Sequence, residues 1–84
     1  MHIVYGDEAR EQMHKLPHDV QARIIKKVFF YASQPNPLSF AKRLTGYDAY
    51  RFRIGNDYRV IFEIESGTLY VLLIVKRDGA YRDL

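Results

Sequence analysis

The chain contains no cysteine, which excludes a disulfide framework and any thiolate-bound zinc. No apolar run approaches the roughly 18–20 residues that cross a bilayer as a helix. The longest apolar stretch, 69–75, has the length of a strand. The N-terminus lacks the basic, then apolar, then small-residue order of a signal peptide. There is no internal repeat and no low-complexity segment. Together these absences predict a soluble, cytoplasmic protein without a membrane partner. A length of 84 residues suits a single domain over 1–84, since a second hydrophobic core would be starved. A domain this small hides only about 60–65% of its unfolded surface, so a partner covering more apolar surface would stabilise it.

What is present is an ordinary globular composition, 48% hydrophobic and 27% charged, too apolar for a disordered chain. The net charge of +3 says less than its distribution. Between Lys42 and Arg59 the basic residues are Lys42, Arg43, Arg51, Arg53 and Arg59, against only Asp48 and Asp57. Lys76, Arg77 and Arg82 follow. Clustered cations of this kind point to an anionic partner such as nucleic acid.

The hydrophobic period divides the chain in two. His2 to Tyr5 reads as a short strand ended by Gly6-Asp7. Asp7 is placed to cap a helix with Ala9, Met13 and Leu16 at helical spacing. Pro17 opens a second helix, where a missing N–H costs little. Its inward stripe is Val20, Ile24, Val28 and Ala32, broadened by Ile25 and Phe29, and Pro35 and Pro37 stop it. After Gly46 the period becomes 2. Tyr50, Phe52 and Ile54 alternate with Arg51 and Arg53, then Gly55-Asn56-Asp57 forms a turn. Tyr58, Val60, Phe62 and Ile64 alternate with Arg59, Ile61 and Glu63. Ser66-Gly67 is a second turn, followed by the nearly all-apolar strand 69–75, of the kind covered on both faces. The predicted fold is α+β, an antiparallel sheet with two N-terminal helices on one face, in the order β-α-α-β-β-β.

Register follows from the pattern, because a slip of one residue reverses every side chain. Tyr50 opposite Phe62, Phe52 opposite Val60 and Ile54 opposite Tyr58 keep the apolar rows together. That sets Arg53 opposite Arg59, with Arg51 two positions along. A two-residue Ser66-Gly67 turn sets Leu69 beside Ile64 and Leu73 beside Val60, and brings Lys76 to the face of Arg59. Like charges directly opposite on a sheet are destabilising. A bound phosphodiester would offset that repulsion and suits the fork of arginine donors.

The ordered set Arg43-Leu44-Thr45-Gly46, Tyr50-Arg51-Phe52-Arg53-Ile54-Gly55-Asn56-Asp57-Tyr58-Arg59-Val60-Ile61-Phe62, and Lys76-Arg77 with Tyr81 resembles the RelE/ParE toxin superfamily. The opening strand and the helical hairpin with Leu16-Pro17 between its helices extend the likeness over essentially the whole chain. The resemblance to the RelE-like branch implies an mRNA endonuclease acting in the ribosomal A site, without a cofactor. The RNA 2′-hydroxyl would attack the adjacent phosphate, leaving a 2′,3′-cyclic phosphate and a free 5′-hydroxyl. It maps the catalytic positions onto Arg51, Arg53, Arg59, Arg77 and Tyr81; Lys42, Arg43 and Lys76, from the basic segment and the register, are expected as further RNA contacts. It also implies a cognate antitoxin, through which operator DNA is bound only indirectly.

The chemistry of the residues fits part of this scheme. Arginines aimed at the developing phosphorane stabilise its charge, and Tyr81 can stack on a base or donate a hydrogen bond. Active relatives carry lysine at one or both positions of Arg51 and Arg53. Arginine keeps its proton, so these two stabilise charge and do not act as bases. His2, His14 and His18 lie far from the cations in sequence. His14 and His18 have i,i+4 spacing, but Pro17 falls between them and no metal site is expected. Ile61, Tyr70, Leu72 and Ile74 are expected on the cationic face, as an apolar strip for the antitoxin or for a returning C-terminal segment. The alternatives are a ParE-like toxin that binds DNA gyrase, and a weakened relative that retains antitoxin binding alone.

Overall fold

A computed structural model describes residues 1–77. Strand β1 (His2–Tyr5) leads into helices α1 (Asp7–His14) and α2 (His18–Ala32), then a 3-10 turn (Pro37–Phe40). Strands β2 (Ala41–Arg43), β3 (Tyr50–Ile54), β4 (Tyr58–Glu65) and β5 (Thr68–Lys76) follow. They form one five-stranded sheet in the order β1-β5-β4-β3-β2. The α+β class, the two helices on one face and the β3–β5 meander agree with the sequence reading. Two features differ. β1 runs parallel to β5, so the sheet is mixed, and β2 is an additional edge strand paired with β3.

The core forms where the apolar rows of sheet and helices meet. Phe52, Ile54, Tyr58, Val60, Phe62, Leu69, Val71 and Ile74 pack against Ala9, Met13, Val20, Ile24, Val28 and Ala32. The Phe52 and Phe62 rings stack at 4.1 Å, and Tyr31 of α2 sits 4.7 Å from Phe52. The four-residue stripe of α2 is as expected, but its broadening is not. Ile25 and Phe29 are 48% and 65% exposed, because only the row at 20, 24, 28 and 32 faces the sheet. Asp7 is the first helical residue, with Gly6 as the cap. It acts with Glu8 as an acid in the first turn, where negative charge suits the helix dipole.

The β3–β4 register is as read from the sequence: Tyr50 with Phe62, Phe52 with Val60, Arg53 with Arg59, Ile54 with Tyr58. Gly55 in the intervening turn has φ of +61°, a conformation glycine adopts without strain. The β4–β5 pairing begins as expected, with Ile64 opposite Leu69. An irregularity at Ile61/Phe62 then makes Leu72 an extra residue, so Leu73 meets Ile61 and Ile74 meets Val60. Such a bulge displaces the ladder by one. The Ile74 N–H finds its acceptor on α1 instead, donating to Gln12 Oε1 at 2.7 Å.

Candidate nucleic-acid interface

The sheet face away from the helices carries the odd-numbered residues of β3 and β4. Lys42 pairs with Arg51 across β2–β3, and Arg53 pairs with Arg59 across β3–β4. Arg51 and Arg53 are alternate residues of one strand and share a face. The result is a row of four cations. Arg53 is exposed and Arg51 half-buried. Arg59 is 3% exposed, the only charged residue in the buried set among the described residues. Its Nη1 donates to the Tyr58 carbonyl at 3.0 Å, while its buried Nε has no hydrogen-bond partner. Among the described residues, neither Arg53 nor Arg59 takes part in an ion pair.

A buried guanidinium without a counter-charge costs several kcal/mol in desolvation, and an unmet donor adds about 1–3 kcal/mol. An anion that presents two acceptor oxygens to Arg59, as a phosphodiester does, would lower both costs. Arg77 is exposed at the same end of the sheet, where its N–H donates to the Asp57 carbonyl at 2.7 Å. This bond ties the end of β5 to the β3–β4 turn. Asp57, Tyr58, Lys76 and Arg77 line a concavity of about 500 Å³ there.

Several residues singled out in the sequence lie elsewhere. Lys76 pairs with Tyr58 and therefore belongs to the row facing the helices, not to that of Arg59. The bulge at Leu72 causes this change of phase. The same shift places Ile74 in the core at 5% exposure, on the row facing the helices and not on the cationic face where it was expected. Ile61 does lie opposite Arg51, but it is already buried. Tyr70 pairs with Glu63 and is half-buried, as are Leu72 and Leu73. Leu73, opposite Ile61, thus takes the place expected for Leu72, and Val75, opposite Arg59, that expected for Ile74. Arg43 pairs with Tyr50 and is bound to Asp48 Oδ1 at 3.0 Å and to the Tyr47 carbonyl, away from the cationic row. Tyr81 lies outside the described residues.

One contributor to this surface was missed. Ser39, Phe40 and Ala41 line a groove of about 380 Å³ with Lys42, Arg51 and Arg53. The only sequence signal was Phe40 standing two residues before a lysine at the start of the basic segment.

Residues 3–81 match the family model described as the ParE toxin of type II toxin-antitoxin system, parDE. Among solved structures, the fold is similar to the toxin-antitoxin complex RelBE2 from Mycobacterium tuberculosis, with a TM-score of 0.78, 24% identity, and 93% of this chain and 92% of that one covered. It is also similar to the intact E. coli RelBE toxin-antitoxin complex, with a TM-score of 0.75, 18% identity, and 93% and 98% covered. The YoeB/ParE toxin from Agrobacterium tumefaciens gives a TM-score of 0.70 at 16% identity, with 92% and 99% covered. At these identities the structures establish a shared fold. No curated protein shows significant sequence similarity to the chain.

Proposed function

Since the chain belongs to the ParE toxin family of type II toxin–antitoxin systems, we propose that it is the RelE-like kind of toxin, a ribosome-dependent mRNA endonuclease. The observation that carries this reading is the pairing of Arg53 with a buried Arg59 whose Nε is unmet. It is the electrostatic complement of a phosphodiester. In the proposed reaction the 2′-oxygen attacks phosphorus and gives up its proton. The bond from phosphorus to the 5′-oxygen breaks, and that oxygen is protonated as it leaves. Arg53 and Arg59 hold the phosphate and stabilise the phosphorane, with Arg51 and Lys42 extending the track along the RNA backbone. Arg77 and Tyr81 are assigned to the leaving-group side and the neighbouring base. Guanidinium groups stay protonated, so the arginines supply charge stabilisation and the proton acceptor is a different group.

The proposed partner in the silenced state is a cognate antitoxin, supported by solved relatives that are toxin–antitoxin complexes. An acidic, partly apolar segment of it would meet the cations and cover Tyr70, Leu72 and Leu73. Operator DNA would be reached only through that antitoxin. Any contact with the ribosome would likewise favour the cationic face. Among the described residues no helix is long and apolar enough to cross a membrane.

The ParE family match supports a second reading, a toxin that binds DNA gyrase. Expression in bacterial cells followed by primer extension separates the two. Cuts within translated codons are expected here; DNA-damage signalling with intact mRNA would establish the gyrase reading instead.

A further inference from the structure

We propose that the groove at the β2 edge is a nucleotide subsite, in which Phe40 stacks an unpaired RNA base and Lys42 and Arg53 hold the adjoining backbone phosphate. This rests on the mRNA reading above and adds a residue to it.

Phe40 is 43% exposed, yet its ring is held in place. It stacks on Tyr31 at 5.0 Å with 25° between planes and meets the edge of Phe30 at 6.3 Å. Tyr31 in turn rests on Phe52, and Phe52 on Phe62. Phe40 is therefore the outer end of a ring stack rooted in the core. The backbone beneath it is fixed as well. Pro37 is buried, and the Asn36 carbonyl accepts from both Ser39 N, at 3.1 Å, and Ser39 Oγ, at 2.8 Å. A ring ordered in advance loses little entropy when it takes up a ligand.

Among the described residues, the groove is lined by Phe40, the Ser39 hydroxyl group and three cations, and by no carboxylate. An apolar peptide would leave Lys42 and Arg53 without compensation. An inorganic anion would leave the ring in water. A nucleotide has both a flat face and a negative charge, and single-stranded nucleic acid is commonly held by stacking platforms beside basic tracks. The groove is also continuous with the Arg53–Arg59 pair, so a strand laid across that pair can place its next nucleotide against Phe40.

The chain has no tryptophan, so Phe40→Trp and Phe29→Trp each give a single reporter, one in the groove and one on the exposed face of α2. A short single-stranded RNA of mixed sequence should quench the first and leave the second nearly unchanged. Phe40→Leu, which keeps an apolar contact with Tyr31 without a stacking face, should weaken RNA binding on the order of tenfold or more. Phe40→Trp should bind at least as tightly as the wild type. Equal quenching of both reporters, none at either, or unaltered affinity in Phe40→Leu would overturn the subsite. So would quenching by the antitoxin but not by RNA, which would assign the groove to the protein partner. Primer extension with the wild type stands apart from these measurements. If it shows intact mRNA while Phe40→Trp is quenched, the nuclease reading fails and the subsite stands.

Discussion

At the level of single residues, Arg59 opposes stability to function. Its charge is buried with an unmet Nε, and an apolar side chain of similar length removes that cost. Arg59→Met should therefore raise the denaturant midpoint, with a gain on the order of 1 kcal/mol or more. The same change should lower mRNA cleavage by about 10²–10³-fold, as expected for losing a preorganised donor to developing charge. Equilibrium unfolding and toxicity, measured on the same variant, check the two halves. Tyr5 behaves differently. Burial raises its hydroxyl pKa to about 12, and that hydroxyl has no hydrogen-bond partner. The unfolded chain gives up this proton near pH 10 and the folded chain near pH 12. Stability contributed by Tyr5 is thus complete below about pH 10 and declines between about pH 10 and 12. Tyr5→Phe should flatten that part of the stability profile, and should cost little at pH 7 because it removes an unsatisfied group. Denaturant midpoints at pH 9 and pH 11 for both proteins test this.

Elements are held in phase by a few specific contacts. Gln12 of α1 accepts the Ile74 N–H just beyond the point where Leu72 displaces the β4–β5 ladder. Gln12→Ala leaves that N–H without its acceptor and should destabilise the fold by about 1–3 kcal/mol. It should also speed hydrogen exchange at Ile74 before that of neighbouring β5 amides. A uniform change across β5 would argue against a local role. This bulge also explains which parts of the site were legible in the sequence. Residues 50–62 alternate apolar and charged side chains around a glycine turn, so a single register satisfies them and the Arg53–Arg59 pair could be read directly. Residues 69–75 are apolar at nearly every position. Inserting one residue there leaves the pattern unchanged, and Ile74 and Lys76 were assigned to the wrong face in consequence. β2 has three residues, too few to show a period, which hid the groove beside it. Ile25 and Phe29 adjoin the inward stripe at helical spacing, but the sheet covers only the narrow row at 20, 24, 28 and 32 of α2.

Across the whole molecule, the division of labour is between two faces of one sheet. The helix-covered face supplies the core, with the aromatic rings of Tyr31, Phe52 and Phe62 at one side. The opposite face gathers Lys42, Arg51, Arg53 and Arg59, and the exposed apolar residues Ile25 and Phe29 belong to α2, on the other side of the sheet. Raising the salt concentration should weaken RNA binding steeply, because a cationic track releases condensed counterions from the strand it holds. Replacing Arg53 with alanine should make that dependence shallower. The most direct test of the phosphate-binding face uses purified ribosomes stalled on a defined mRNA, with mapping of the chemical ends of any fragments. Wild-type protein should yield a cut in the A-site codon bearing a 2′,3′-cyclic phosphate upstream and a 5′-hydroxyl downstream, and folded Arg59→Ala should leave the message whole. Uncut mRNA with the wild type, or equal cutting by Arg59→Ala, would contradict it.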